Sequence, residues 1–111
     1  MGGISKGTVV FMPFPYSDLS QAKSRPAVVL ACAGRNDWLL CQITSNAFAD
    51  SEAVRLDVSD FDTGSLRKVS FARPAKLFAA DARLFETVVG ELKPQSYERV
   101  RSAVLKFIAA A

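Results

Sequence analysis

The chain contains no histidine. That removes Ser–His and Cys–His nucleophilic arrangements, the usual zinc sites and any imidazole proton shuttle. Cysteine is scarce as well. Cys32 and Cys41 both lie in apolar segments, at a spacing that fits no metal motif and without the basic surroundings that would activate a thiolate. Both are read as small buried hydrophobes. Long hydrophobic runs are missing: the longest stretch without a polar side chain or proline is 27–34, against the roughly 18 residues needed to cross a bilayer. Residues 8–16 are apolar, but Pro13 and Pro15 interrupt them and no small-residue cleavage site follows, so no signal peptide is expected. Lys6 stands where a myristoylation motif wants Ser or Thr. The expected compartment is the cytoplasm, with no membrane contact. Internal repeats, low-complexity tracts and linkers are absent too. At 111 residues the chain reads as one domain spanning 1–111.

Half of the residues are hydrophobic and 23% are charged, enough apolar surface for one modest core without covalent staples. The net charge of +3 is small but unevenly placed. Residues 63–78 carry Arg67, Lys68, Arg73 and Lys76 with no acid, and 23–35 carry Lys23, Arg25 and Arg35 with none either. Between these stretches Asp50, Glu52, Asp57, Asp60 and Asp62 stand against the single Arg55. Basic patches of this kind are the footprint of a polyanion partner, or equally ordinary solvated faces. The acids at 57, 60 and 62 have the ligand chemistry for Mg²⁺ but read as a solvated acidic edge.

Patterning predicts a mostly antiparallel protein. Residues 8–12 are β-branched and aromatic, a strand expected to stop at Pro13. A loop at 14–24 follows, rich in proline, serine and aspartate. Residues 26–33 form a short continuous apolar run, suited to a strand buried on both faces. Asn36-Asp37 reads as a turn into a strand at 38–44, on which Leu39, Cys41 and Ile43 share one face and Leu40, Gln42 and Thr44 the other. Residues 54–58 alternate like a half-exposed strand. Residues 69–78 hold a further strand in which Pro74 needs an edge or a bulge. Residues 86–92 are too short and too rich in valine and glycine for a helix to be assigned. The C-terminus is the one clear helix: Pro94 suits its first turn, Glu98 adds negative charge near its start, and Tyr97, Val100, Ala103, Val104, Phe107 and Ile108 form an apolar stripe. Five or six short strands and one amphipathic helix make a small barrel or open sheet closed by a helix.

Four segments then fall into a recognisable order: Lys6-Gly7-Thr8-Val9-Val10, Pro13-Phe14-Pro15-Tyr16-Ser17-Asp18-Leu19, Arg25-Pro26-Ala27-Val28-Val29-Leu30 and Gln42-Ile43-Thr44-Ser45. None is specific alone. Together with the late basic strand and the terminal helix, they resemble the MazF/PemK toxin family, the ribonuclease half of toxin–antitoxin pairs, over nearly the whole chain. The resemblance implies a mainly β fold, a small SH3-like antiparallel barrel closed by an α-helix. It also implies a homodimer, a cognate antitoxin with an acidic disordered segment, and cleavage of single-stranded RNA without metal or other cofactor. The arginine of the Arg-Pro step and the threonine of the Ile-Thr-Ser step form the family's catalytic pair, which places Arg25 and Thr44 in those roles. One branch, typified by the Kid toxin, adds an arginine and an aspartate on the late strand. Ser70 and Ala72 occupy those places here, so this chain lacks that acid–base pair.

The residues suit the implied chemistry. RNA brings its own nucleophile, the 2′-hydroxyl, and the protein has to supply alignment and charge stabilisation at the phosphoryl group. A guanidinium fork donates two parallel hydrogen bonds to phosphate and stays charged. Arg25 precedes a proline, which favours extended backbone at the mouth of a strand. Thr44, at the end of the neighbouring strand, offers a hydroxyl donor to the same phosphate. Arginine is a poor proton acceptor at neutral pH. Asp18 is the one acid among the first 36 residues, either a base folded over the site or a turn former bonding its own backbone. RNA contacts are expected from Phe14, Tyr16, Ser17, Asp18, Lys23, Ser45, Lys68, Arg73 and Lys76, with the aromatics stacking bases or packing under the loop. Strand alternation sets Arg73 on the opposite face from Lys68 and Lys76. Trp38 reads as a core or interface residue. Two rival readings remain. A gyrase-poisoning toxin of the CcdB type needs a C-terminal tryptophan, and this chain ends Ala109-Ala110-Ala111. A small basic barrel that binds single-stranded nucleic acid without cutting it is the other.

Overall fold

The computed structural model describes residues 3–15, 22–48 and 50–110. Its strands are β1 (Thr8–Pro15), β2 (Ala22–Cys32), β3 (Asp37–Thr44), β4 (Val54–Leu56), β5 (Phe61–Gly64), β6 (Ser70–Asp81) and β7 (Thr87–Leu92), followed by helix α1 (Pro94–Ala110). All seven strands join one antiparallel sheet in the order β4-β6-β3-β2-β1-β7-β5. The sheet curls into a half-barrel, and α1 lies across its concave side. Two more strands are present than the five or six expected from patterning at their fewest, because 86–92 is strand β7 and the short 61–64 segment is β5.

Period-two alternation sorts the apolar residues into two clusters. Val9, Val28, Cys41, Ile43 and Ala72 face α1, where Val100 and Val104 close the core. Val10, Met12, Ala27, Val29, Leu40 and Ala80 form a second cluster on the opposite face, with Trp38 half-buried against it. Each fully buried Val, Leu or Ile contributes about 1.5–3 kcal/mol relative to exposure, so the paired central strands carry most of the stability. Tyr97 anchors α1 through its hydroxyl, which donates to the Leu30 carbonyl at 2.7 Å. Burial along α1 ends with Val104. Phe107 and Ile108, placed on the same stripe by periodicity, remain 37% and 56% exposed.

Several local expectations are corrected. Pro13 does not stop β1, which runs to Pro15 paired with β2. β7 leaves β1 at the Phe11–Thr87 pair, so both prolines stand where the strand has a neighbour on one side only. Pro74 sits in an irregular stretch of β6, between the Ile43–Ala72 and Cys41–Leu77 pairs, where the ladder makes no demand on its missing N–H. The strand expected at 54–58 is only Val54–Leu56, and the chain then turns through a 3₁₀ segment at Val58–Asp60. Asp57 and Asp60 are not a loose acidic edge: they form a reciprocal capping box around that turn. The negative charge at the start of α1 comes from Asp60, which accepts from Ser96 Oγ at 2.7 Å. Glu98 instead pairs with Arg101 and Ser102 along the helix. Cys41 is buried as expected, but Cys32 is exposed, since β2 has passed the core by that point.

Two glycines bring β5 onto β7. A Cβ at Gly90 would lie 2.2 Å from the Thr63 carbonyl oxygen, and Gly64 has φ +67° with its own Cβ position 2.0 Å from the Val89 oxygen. Only glycine permits this approach, which swings the following connection, 65–68, toward the open end of the sheet. No described helix is long and apolar enough to cross a membrane.

Candidate active site

Toward their open end β2 and β3 pair Ala27 with Gln42, Val28 with Cys41 and Val29 with Leu40, the register shifting only beyond Val29. The last of these pairs is Ala27–Gln42, and Arg25 and Thr44 each lie two residues beyond it, past the end of the ladder. The two strands separate there. Arg25 pairs onward with Met12 of β1, and Thr44 with Phe71 of β6. Into this opening comes the β5–β6 connection. The result is a groove of about 520 Å³ lined by both residues together with Ser24, Ser45, Arg67 and Lys68, over an apolar floor that includes Phe11 and Ile43.

The groove's electrostatics are one-sided. Arg25, Arg67 and Lys68 line it, and among the described lining residues there is no acid. Hydroxyls complete the walls: Ser24, Thr44, Ser45, Ser65, Ser70 and Thr87. Thr44 Oγ1 accepts a hydrogen bond from the Asn46 N–H at 3.1 Å. That bond orients the oxygen and leaves its proton to be donated to a ligand. Such a surface has the chemistry a phosphodiester calls for: cations neutralise the charge and hydroxyls supply directed donors. Among the described residues no group of three or more His, Cys, Asp or Glu side chains is placed to hold a metal ion.

A carboxylate does reach the groove wall. Ser24 Oγ donates to Glu86 Oε1 at 2.5 Å, and the Glu86 N–H donates to the Phe11 carbonyl at 2.8 Å. The bond passes from β2 across β1 to the start of β7, and it fixes the residue immediately before Arg25. Sequence reading misses Glu86 because it lies 62 positions from Ser24 and belongs to no motif.

The remaining expected contacts divide. Ser45 and Lys68 line the groove. Lys76 does not share it with Lys68. It lines a second cavity of about 440 Å³ with Phe14, Phe78 and Leu84, because Lys68 precedes β6 and the irregular 73–76 stretch resets the alternation. Phe14 meets Phe78 edge-on there, ring centroids 4.3 Å apart at 73°. Arg73 turns to Asp50, Nε to Oδ2 3.9 Å, and its carbonyl accepts from Cys41 Sγ at 3.1 Å. Lys23 is exposed on β2 and is not among the groove's lining residues. Tyr16, Ser17 and Asp18 lie outside the described residues. The Cys41 thiol, pushed up to about 12 by burial, stays protonated at neutral pH.

Residues 5–108 match the model of a family described as PemK-like, MazF-like toxin of type II toxin-antitoxin system. The chain belongs to this toxin family. Solved structures agree in fold. An endoribonuclease from a mycobacterial species, solved with its cognate antitoxin, superposes with TM-score 0.76 at 12% identity, covering 98% of each chain. MazF from Deinococcus radiodurans gives 0.74 at 20% identity over 96% of each chain, and a MazE–MazF structure from the same organism gives 0.70 at 17%, again over 96% of each. At these identities the likeness concerns the fold. No curated protein matches the sequence significantly.

Proposed function

We propose that this toxin is a metal-independent endoribonuclease that cuts single-stranded RNA by attack of the 2′-hydroxyl on the adjacent phosphate. The observation that carries the reading is the juxtaposition of Arg25 and Thr44 across the separating ends of β2 and β3, in a groove walled by cations and hydroxyls. In the reaction the 2′-hydroxyl gives its proton to solvent, and the O2′–P bond forms as the P–O5′ bond breaks. The products are a 2′,3′-cyclic phosphate, or its 3′-phosphate hydrolysate, and a 5′-hydroxyl that takes its proton from solvent. Arg25 holds the non-bridging oxygens and stabilises the charge that gathers on them in the transition state, and Thr44 donates to the same group. Arg67, Lys68 and Ser45 track the backbone on either side. This chemistry needs no protein nucleophile, which accords with a chain that has no histidine and a Cys41 thiol held protonated.

The partner side of the proposal is a homodimer whose basic groove is blocked by the acidic, disordered segment of a cognate antitoxin. Its support is the one-signed lining of the groove and the antitoxin complexes solved for proteins of the same fold. The place of action is the cytoplasm, where the RNA is.

The deciding experiment offers purified protein an RNA carrying one 2′-deoxy sugar 5′ of the scissile phosphate, alongside all-RNA, each with and without a strong chelator. The all-RNA strand should be cut in chelator, and the substituted strand should not. Equal cutting of both strands, or loss of activity on chelation, would replace the internal nucleophile with an activated water.

A further inference from the structure

Phe48 is 95% exposed, whereas the next most exposed phenylalanine, Phe107, is at 37%. Its loop is nevertheless braced at both ends. At one end the Asn46 N–H donates to Thr44 Oγ1 at 3.1 Å, and the Phe48 N–H donates to Asn46 Oδ1 at 2.9 Å. At the other, Asp50 Oδ2 accepts from the Ala75 N–H at 3.3 Å and pairs with Arg73. The ring is therefore presented to solvent on a hydrogen-bonded support that begins at a candidate catalytic hydroxyl. Two residues separate Phe48 from Ser45, which lines the groove, a span of at most roughly 11 Å.

We propose that Phe48 is a stacking platform for a nucleobase flanking the scissile step of the bound RNA, which rests on the ribonuclease reading of the groove. A strand whose phosphate sits between Arg25 and Thr44 leaves the groove past Ser45 and lays its next base on the ring. Stacking suits a lone aromatic, because every base has a π-face and one ring suffices. A protein partner would call for something else: anchor residues seated in a desolvated patch. Among the described residues flanking Phe48 in the chain there is no such patch: Asn46, Ala47, Ser51 and Glu52 are all exposed and small or polar. The position adds affinity and a preference among bases at one flanking site without touching the reacting atoms.

The test uses the full chain and three variants, Phe48→Ala, Phe48→Leu and Phe48→Trp. The ligands are a 2′-O-methyl RNA decamer pool, which cannot be cut, and inorganic tripolyphosphate as a polyanion without bases. The alanine and leucine variants should each bind the pool about 5- to 150-fold more weakly with unchanged thermal midpoints. The tryptophan variant should retain affinity, and its added fluorescence should be quenched by the pool but not by tripolyphosphate. Leucine matching the wild type, or alanine changing nothing, overturns the stacking role. So does a loss confined to antitoxin binding. A wild type that cuts RNA beside an indifferent alanine variant defeats this inference alone. Quenching by the pool in a protein that never cuts RNA defeats the ribonuclease reading alone, and a protein that neither binds nor cuts defeats both.

Discussion

Replacing Asp60 by alanine should destabilise this protein far more than an ordinary substitution of a charged surface side chain. Asp60 stands on the 3₁₀ turn after β4, its side chain 14% exposed. One carboxylate joins two elements: Oδ1 accepts from Ser96 Oγ at 2.7 Å and from the Arg99 guanidinium at 2.6 Å, and Oδ2 accepts from the Asp57 N–H at 2.8 Å. The three bonds are not equal. Arg99 is half exposed, so its ion pair is worth under about 1 kcal/mol. The Asp57 N–H can turn to water. Ser96 is 2% exposed and loses its acceptor where no water replaces it, a cost of about 1–3 kcal/mol. Together the loss is about 2–4 kcal/mol out of a total stability of about 5–15 kcal/mol, or a fall in Tm of roughly 8–16 °C for a chain of this size. Asp60→Asn keeps an acceptor for Ser96 and should cost roughly half as much.

The same carboxylate sets a pH dependence. Burial favours the neutral form of Asp60, but the Asp57 N–H, Ser96 and Arg99 outweigh it and hold the group below the usual aspartate value of 3.8. Near and below that value the unfolded chain binds more protons than the native one, so stability rises with pH there. The contribution is complete above 3.8 and is lost as pH falls through the lower native value. Urea unfolding of wild type and Asp60→Ala at pH 7, and at a series of values below 4, measures both effects. The gap between them should be widest at pH 7 and close on acidification. A gap under about 0.5 kcal/mol at pH 7, or one that widens in acid, would refute the reasoning.

Arg25→Lys keeps the charge but loses the planar fork, so RNA cleavage should fall at least tenfold while RNA affinity changes little; full activity in the folded variant would remove Arg25 from the mechanism. Ser24→Ala and Glu86→Ala break the same 2.5 Å bond beside Arg25. Each should slow cleavage, and the double variant should be no slower than the worse single one, whereas additive losses in a mutant cycle would mean that the two act separately. A thiol reagent at pH 8 should modify one cysteine in the native protein, the exposed Cys32, and reach the buried Cys41 only in denaturant. Two equivalents without denaturant would contradict the burial that holds the Cys41 thiol at about 12.

Elements whose signal is periodic are legible without coordinates. The helix at the C-terminus follows from a 3.6-residue stripe and the strand through Ile43 from alternation, while the strands through Val9 and Val28 and the burial of Cys41 follow from short apolar runs, all properties of neighbouring residues. The family resemblance was legible for a related reason: Arg25-Pro26 and Ile43-Thr44-Ser45 are short, contiguous and in order. Other features had no such signal. Pro13 and Pro15 argued for ending β1, and only the departure of β7 at Thr87 explains why they are tolerated. Cys32 looked as buried as Cys41 because both sit among apolar neighbours, while exposure depends on where β2 outruns the core.

The candidate site divides the same way. The residues proposed to carry the chemistry, Arg25 and Thr44, stand in two local motifs, and the exclusion of histidine chemistry is written in composition. That they line one groove is a matter of tertiary structure, since each lies just beyond the β2–β3 ladder that ends at Ala27 and Gln42. The separation of Lys76 from Lys68 follows from an irregular stretch of β6. The reach of Glu86 to Ser24 crosses a third strand, and the bare ring of Phe48 is visible only as surface that no described residue covers. Sequence determines side-chain chemistry and local periodicity because both reside in neighbouring residues. Register, irregularities in pairing and solvent exposure are decided by strands distant in the chain, and so by the tertiary structure alone.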